Sequence, residues 1–158
     1  MIWQCRTGQV ESINVSHGGV PKEPVAEALI TAFGLNGDQH RDLRHHGGPD
    51  RAVVLYSLEL IEALAREGHQ IRPGSAGENL TISGIEWTAV VPGAKLRIEE
   101  VRLEITKFAS PCHIIAGSFR DGDPSRVSQA LHPGWSRVCA RVLSGGLVRV
   151  GDAIALVD

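Results

Sequence analysis

The chain has 158 residues, 42% of them hydrophobic and 22% charged, with a formal net charge of −2. A chain of this length can bury roughly two thirds of its unfolded surface, so one domain over residues 1–158 is expected without any disulfide framework. No apolar run approaches the roughly 18 residues of a membrane span, and a 4% aromatic content argues against a nucleic-acid surface with interleaved rings. Three cysteines, Cys5, Cys112 and Cys139, lack CxxC spacing and suit a reducing cytoplasm.

Taken in chain order, residues 8–15 (GQVESINV) alternate apolar and polar positions and predict a half-buried strand before the Gly18-Gly19 break. Residues 24–34 (PVAEALITAFG) are ambiguous: Ala26, Leu29, Ile30 and Phe33 fit a helical face, while Val25, Leu29, Thr31 and Phe33 fit a strand. A polar, glycine-broken stretch from Asn36 to Asp50 follows and leads into the strand-like run AVVLY at 52–56. Ser57 is an N-cap candidate for LELIEALAREG, in which Leu58, Ile61, Leu64 and Ala65 share a face and Gly68 ends the helix. NLTISG (79–84), KLRIEE (95–100) and VRLEITKF (101–108) read as strands. Ser110-Pro111 and Asp123-Pro124 each pair an N-cap residue with proline at the first helical position, so two short helices are expected after those strands. The tail from Cys139 to Val157 alternates again and divides at Gly145-Gly146 and Gly151-Asp152 into two or three strands.

Two constellations could carry chemistry. Ser110-Pro111 would place Cys112 in the first turn of a helix, where free N–H groups and the positive dipole end favour a thiolate able to attack sulfur, carry a persulfide or bind a soft metal. A small core cysteine is the alternative, and the inert reading is favoured for Cys5, in the terminus, and Cys139, in a strand. The second constellation is GDQHRDLRHHGGPDRA, residues 37–52, where Asp38, His40, His45, His46 and Arg51 cluster among glycines that let backbone N–H groups approach a ligand. An anion or a cofactor phosphate suits it, whereas its spacing matches no zinc motif, and a solvated polar loop is the alternative. Lys22 could hold a phosphate as a point charge and Asn79 could hydrogen-bond a heterocycle edge. A surface lysine and a turn asparagine are their commoner explanations. Arg137, Arg141 and Arg149 read as solvated positions.

In order, GVPK (19–22), GLNGDQH (34–40), HHGGPDRAV (45–53), GENLT (77–81), SPC (110–112) and ARVLSGGLVRVGD (140–152) resemble the MOSC family, the module at the C-terminus of molybdenum-cofactor sulfurases. The resemblance implies a mainly β fold, a MOSC-type β-barrel with a few short α-helices, and resolves residues 24–34 as strand. It implies that Cys112 is the catalytic residue, as sulfur carrier or molybdenum ligand. It also implies that Lys22, Asp38, His40, His46, Arg51, Glu78 and Asn79 line a pocket for the molybdenum cofactor (molybdopterin). The pyridoxal-phosphate cysteine desulfurase part of the fused sulfurases is expected to be missing. So is the β-rich N-terminal domain of relatives that reduce N-hydroxylated compounds.

The expected function is therefore molybdenum-cofactor binding. Cys112 would serve either the reduction of a small N-hydroxylated substrate or sulfur transfer through a thiolate or persulfide. The expected partners are a separate electron-donor protein or a cysteine desulfurase, with no nucleic acid and no membrane. Two rivals remain: a non-catalytic binding module for an anionic ligand, and a metal hydrolase using His40, His45 or His46.

Overall fold

The computed structural model describes residues 6–16, 20–39 and 48–158. Strand β1 (Thr7–Val15) buries Val10 and Ile13, whose three-residue spacing a regular strand would put on opposite faces. A register shift between Val10 and Ser12 in its pairing with β6 reconciles the two, because a bulge turns the following residues over. Short strands β2 (Glu23–Val25), β3 (Glu27–Thr31) and β4 (Gly34–Leu35) follow. Residues 24–34 are thus strands joined by a bend at Ala26 and a turn at Ala32-Phe33, and on β3 the inward face is the opposite of the one expected. Ala28 and Ile30 are buried and Leu29 is 46% exposed, while Phe33, 89% exposed, lies in the turn. The cause is the partner: β3 pairs with β10 (Gly146–Arg149) and β4 in a small separate sheet, where Leu29 lies opposite Leu147 on the outer face.

Strand β5 (Val53–Ser57) runs directly into α1 (Leu58–Arg66), and the Ser57 side chain accepts a hydrogen bond from the Leu60 N–H as its N-cap. The helix buries Ile61 and Leu64 and returns the chain to β6 (Leu80–Ser83), which lies parallel to β5. A parallel pair needs such a crossover, since a tight turn can join only antiparallel strands.

Period-two burial governs the rest: Leu96 and Ile98 on β7 (Lys95–Ile98), then Val101, Leu103 and Ile105 on β8 (Val101–Phe108), all point inward. The final strands are β9 (Val138–Ser144), β10 and β11 (Ala153–Val157). The main sheet runs β11-β7-β8-β9-β5-β6-β1-β2, and β11 also pairs with β1, so seven strands close into a barrel with β2 appended. Closure removes the open edges of β1 and β11 and encloses one contiguous apolar cluster. Among the described residues no helix is long and apolar enough to cross a membrane.

The two helices expected after β8 are short 3-10 segments, His113–Ser118 and Pro124–Val127. Asp123 caps the second through the Ser125 N–H as expected, but residues 128–132 do not continue it. In the first, Ile115 and Ser118 are buried three residues apart, matching the 3-10 repeat, and the Ser118 hydroxyl is tied to Ser75.

Candidate functional site

The chain leaves β8 at Phe108 and passes through Ala109, Ser110 and Pro111 to Cys112. Cys112 is not inside a helix. It has extended backbone (φ −140°, ψ 168°) and precedes the six-residue 3-10 turn, which receives no side-chain cap. The stabilisation expected from an α-helix with Cys112 in its first turn is therefore not supplied by this segment, because a short 3-10 segment aligns too few peptide units to build a comparable dipole. What Cys112 has instead is partial exposure on a cleft of about 350 Å³. Lys22, Arg51, Val54, Gly77, Asn79, Ala109, Ser110, Pro111 and Cys139 complete its lining.

A buried guanidinium supports the Cys112 segment. Arg137, 6% exposed, donates from Nη1 to the Ala76 carbonyl at 3.0 Å and from Nη2 to the Ser110 carbonyl at 3.1 Å. It thereby ties the loop before β6 to the backbone two residues before Cys112. Among the described residues its buried Nε has no hydrogen-bond partner. Burial pushes the Arg137 pKa down, while the thiols of Cys139 and Cys112, together with Tyr56 and Glu78, oppose that shift. The expectation of a solvated Arg137 is thus corrected: a basic residue beside the β9 start is drawn in by two carbonyls that no ladder satisfies. Arg141, half-exposed and paired with Asp50 and Glu104, and the exposed Arg149 do lie at the surface.

The opposite wall is an ion-paired cluster. Lys22 Nζ lies 2.7 and 2.9 Å from the two Asp38 carboxylate oxygens, with both side chains almost fully buried. Asp38 also accepts from the Ser16 N–H at 2.9 Å and from Asn79 Nδ2 at 2.9 Å. Asn79 spends its second amide proton on the Asn14 carbonyl at 3.3 Å, and its Oδ1 accepts from the Val54 N–H at 3.0 Å. All its polar capacity but one lone pair is engaged, so Asn79 shapes the cleft and holds Asp38 in place rather than reading a heterocycle edge.

Glu78, the next residue back, is fully buried and does not line the cleft. Its Oε2 accepts from the Thr81 hydroxyl at 2.9 Å, and its Oε1 has no partner. Burial raises its pKa, against the pull of nearby backbone amides, Thr81 and Arg137. Arg51 ends the 3-10 turn Pro49–Arg51 and reaches the cleft half-buried. The predicted site residues therefore divide. Cys112, Lys22, Arg51 and Asn79 share one cleft; Asp38 and Glu78 stand behind its walls; His40 and His46, like His45 and Cys5, lie outside the described residues.

Two residues of the site escape a reading by residue type. Arg137 is one. Cys139 is the other: it is buried in a strand as expected, yet it opens onto the same cleft as Cys112. Burial pushes the Cys139 thiol pKa up, with Arg137, Arg51 and Lys107 acting in the opposite sense. The signal for Cys139 was its register, since it pairs with Val54, another cleft residue. For Arg137 no local signal exists. Together, a partly exposed thiol, a second cysteine and two cationic side chains on one concave surface are chemically suited to an anionic ligand and to thiol chemistry.

The pattern of the MOSC domain matches residues 42–155. The chain is 31% identical over 145 residues to the uncharacterized protein YflK of Bacillus subtilis (strain 168), covering 89% of this chain and 63% of YflK. It is 32% identical over 108 residues to protein YiiM of Escherichia coli (strain K12), covering 65% of this chain and 48% of YiiM. It thus spans less than two thirds of the length of both relatives. The crystal structure of Escherichia coli YiiM superposes with a TM-score of 0.73 at 25% identity, over 96% of this chain and 70% of that one. The YuaD protein of Bacillus subtilis superposes at 0.73 with 19% identity over 98% of each chain, a likeness of fold.

Proposed function

Because the chain belongs to the MOSC domain family, we propose that its cleft binds a molybdenum cofactor or its molybdopterin part, with Cys112 as the group that meets the reacting centre. The observation that carries this reading is the joint placement of Cys112, Lys22 and Arg51 on one cleft of about 350 Å³. The donor set fits such a ligand. A soft thiolate matches molybdenum or sulfane sulfur, and two cationic side chains match a phosphorylated pterin. Bound there, the cofactor would supply a metal able to accept the oxygen of an N-hydroxylated substrate, with electrons from a separate donor protein.

The chain's own residues would do the following. Arg51 would hold anionic oxygens at the cleft mouth. Lys22 carries a third ammonium proton beyond those directed at Asp38, so it can donate to a ligand while the ion pair keeps its position. Arg137 would keep Ser110 and hence Cys112 at a set depth. In the sulfur-transfer form of the same function, Cys112 would receive a sulfane sulfur from a cysteine desulfurase and present it as a persulfide.

The test is elemental analysis for molybdenum with mass spectrometry of Cys112, on protein made in a host that synthesises the cofactor. Near-stoichiometric metal, lost in Cys112→Ser, supports metal ligation. An adduct of about 32 Da on Cys112 without metal supports sulfur carriage. If neither appears and Cys112→Ser leaves ligand affinity unchanged, the cleft belongs to a non-catalytic binding module.

A further inference from the structure

We infer that Cys139 is the second sulfur of this site, a resolving thiol that attacks a persulfide on Cys112 and discharges its outer sulfur as sulfide. The inference rests on the sulfur-carrying form of the function proposed above. It adds a residue whose strand position alone suggested an inert core cysteine.

The geometry has three parts. First, both cysteines line the same cleft. Cys139 reaches it from β9, where its neighbours are Val54 on β5 and Lys107 on β8, and Val54 lines the cleft beside it. Second, the backbone carrying Cys112 runs alongside the start of β9: the Ala109 N–H donates to the Arg137 carbonyl at 2.9 Å, and Arg137 Nη2 reaches the Ser110 carbonyl at 3.1 Å. Third, the buried Arg137 guanidinium belongs to the residue two before Cys139, reaches the Ser110 carbonyl two residues before Cys112 and, among the described residues, has no partner for its Nε, so it is a counter-charge held near both cysteines.

The two cysteines differ in freedom. Cys139 is fixed by ladder pairing on both sides, whereas Cys112 lies outside any strand, in the extended stretch before a 3-10 turn. A disulfide needs Cβ atoms within about 3.5–4.5 Å, so the approach falls to the Cys112 segment.

The step balances without an outside oxidant. The Cys139 thiol gives up its proton as its sulfur attacks Sγ of the Cys112 persulfide, a Cys112–Cys139 bond forms, and the bond between Sγ and the outer sulfur breaks. The outer sulfur leaves with the electron pair and takes up the proton given by the Cys139 thiol. The sulfane sulfur is thus reduced to hydrosulfide while the two cysteine sulfurs are oxidised to a disulfide. A dithiol reductant then returns both cysteines to thiols. Burial of Cys139 to 4% exposure keeps it away from bulk thiols while leaving it open to the cleft.

The experiment loads the full chain with inorganic tetrasulfide under anaerobic conditions and removes the excess. Sulfide release is then followed, and peptides are mapped without reductant. The expected wild-type result is about one sulfide released per chain and a cross-linked peptide pair holding Cys112 and Cys139. In Cys139→Ser and Cys139→Ala, the adduct of about 32 Da should persist on Cys112 and sulfide release should fall at least about tenfold. Two variants are used so that a burial defect of the serine hydroxyl does not decide the outcome, and melting curves show that both fold. If the adduct on Cys112 is equally long-lived in wild type and variants, with Cys139 still free to alkylate after unfolding, the resolving role is overturned and sulfur carriage stands. If Cys112 takes up no adduct in any of the three proteins, sulfur carriage falls and this inference falls with it.

Discussion

At the scale of single residues, the polar groups that set the cleft are held by bonds whose loss has a definite cost. Removing the Arg137 side chain, as in Arg137→Leu, strips donors from the Ala76 and Ser110 carbonyls. A loss of about 3 kcal/mol in a urea-unfolding series is expected, together with a changed alkylation rate of Cys112. Arg137→Lys, with one ammonium in place of the fork, should recover part of the stability. Glu78 gives a pH dependence. Its folded-state pKa is raised by burial, so the folded protein binds more protons than the unfolded chain and stability falls as pH rises through and above the ordinary carboxylate range. Glu78→Gln keeps an acceptor for Thr81 without the charge. Its advantage over wild type should be absent near about pH 4 and grow towards about pH 8, measured as the urea midpoint. At the cleft mouth, Arg51→Gln should weaken binding of a phosphorylated pterin by about tenfold and lessen its salt dependence, as read by titration calorimetry at two ionic strengths.

Among the elements, the loop between α1 and β6 and the segment leading into β2 depend on each other at Gly74. This residue has φ +86°, and a Cβ there would meet the Lys22 carbonyl oxygen at 2.3 Å and Asn14 Cγ at 3.2 Å. The same contact carries the Lys22 N–H to Gly74 carbonyl bond of 2.9 Å. Gly74→Ala is expected to cost at least about 2 kcal/mol and to weaken anion binding as well, because the displaced backbone is that of Lys22. The α1 cap separates the two effects: Ser57→Ala should cost about 1 kcal/mol in thermal unfolding and leave binding unchanged, since neither Ser57 nor any residue of the helix lines the cleft. At this scale the elements with regular local spacing were readable in advance. The alternation of Val101, Leu103 and Ile105, and Ser57 set before the apolar face of α1, state their own structure. Residues 24–34 show the limit: the strand was one of two readings, and its inward face was misassigned because β10 as partner is far away in the chain.

Considered as a whole molecule, the protein depends on its last strand. β11 joins β1 on one side and β7 on the other, and buries Ile154 and Leu156. Deleting residues 153–157 would expose two ladder edges and uncover the core. The expected result is loss of a cooperative melting transition and concentration-dependent aggregation, checked by circular dichroism and light scattering. The cleft lies where the ends of β5, β8 and β9 meet the loops at Lys22 and Gly77. It is therefore a property of closure and no single segment holds it.

Local spacing and an ordered set of short motifs were enough to read the mainly β character, the one α-helix of the described residues and the family, and to single out Cys112 as a candidate that the fold then places on a cleft. They sufficed because a burial period of two or 3.6 residues and a capping side chain act over a few neighbouring positions. Folding in three dimensions settled how β11 closes the barrel against β1, the reversed face of β3, the 3-10 segment after Cys112, the burial of Arg137 and the placement of Cys112 and Cys139 on one cleft. Each of these depends on which distant segments become neighbours. An arginine or a cysteine has the same side chain at a solvated surface as in a cleft wall, and only the carbonyls, strands and charges brought beside it from elsewhere in the chain give it a role.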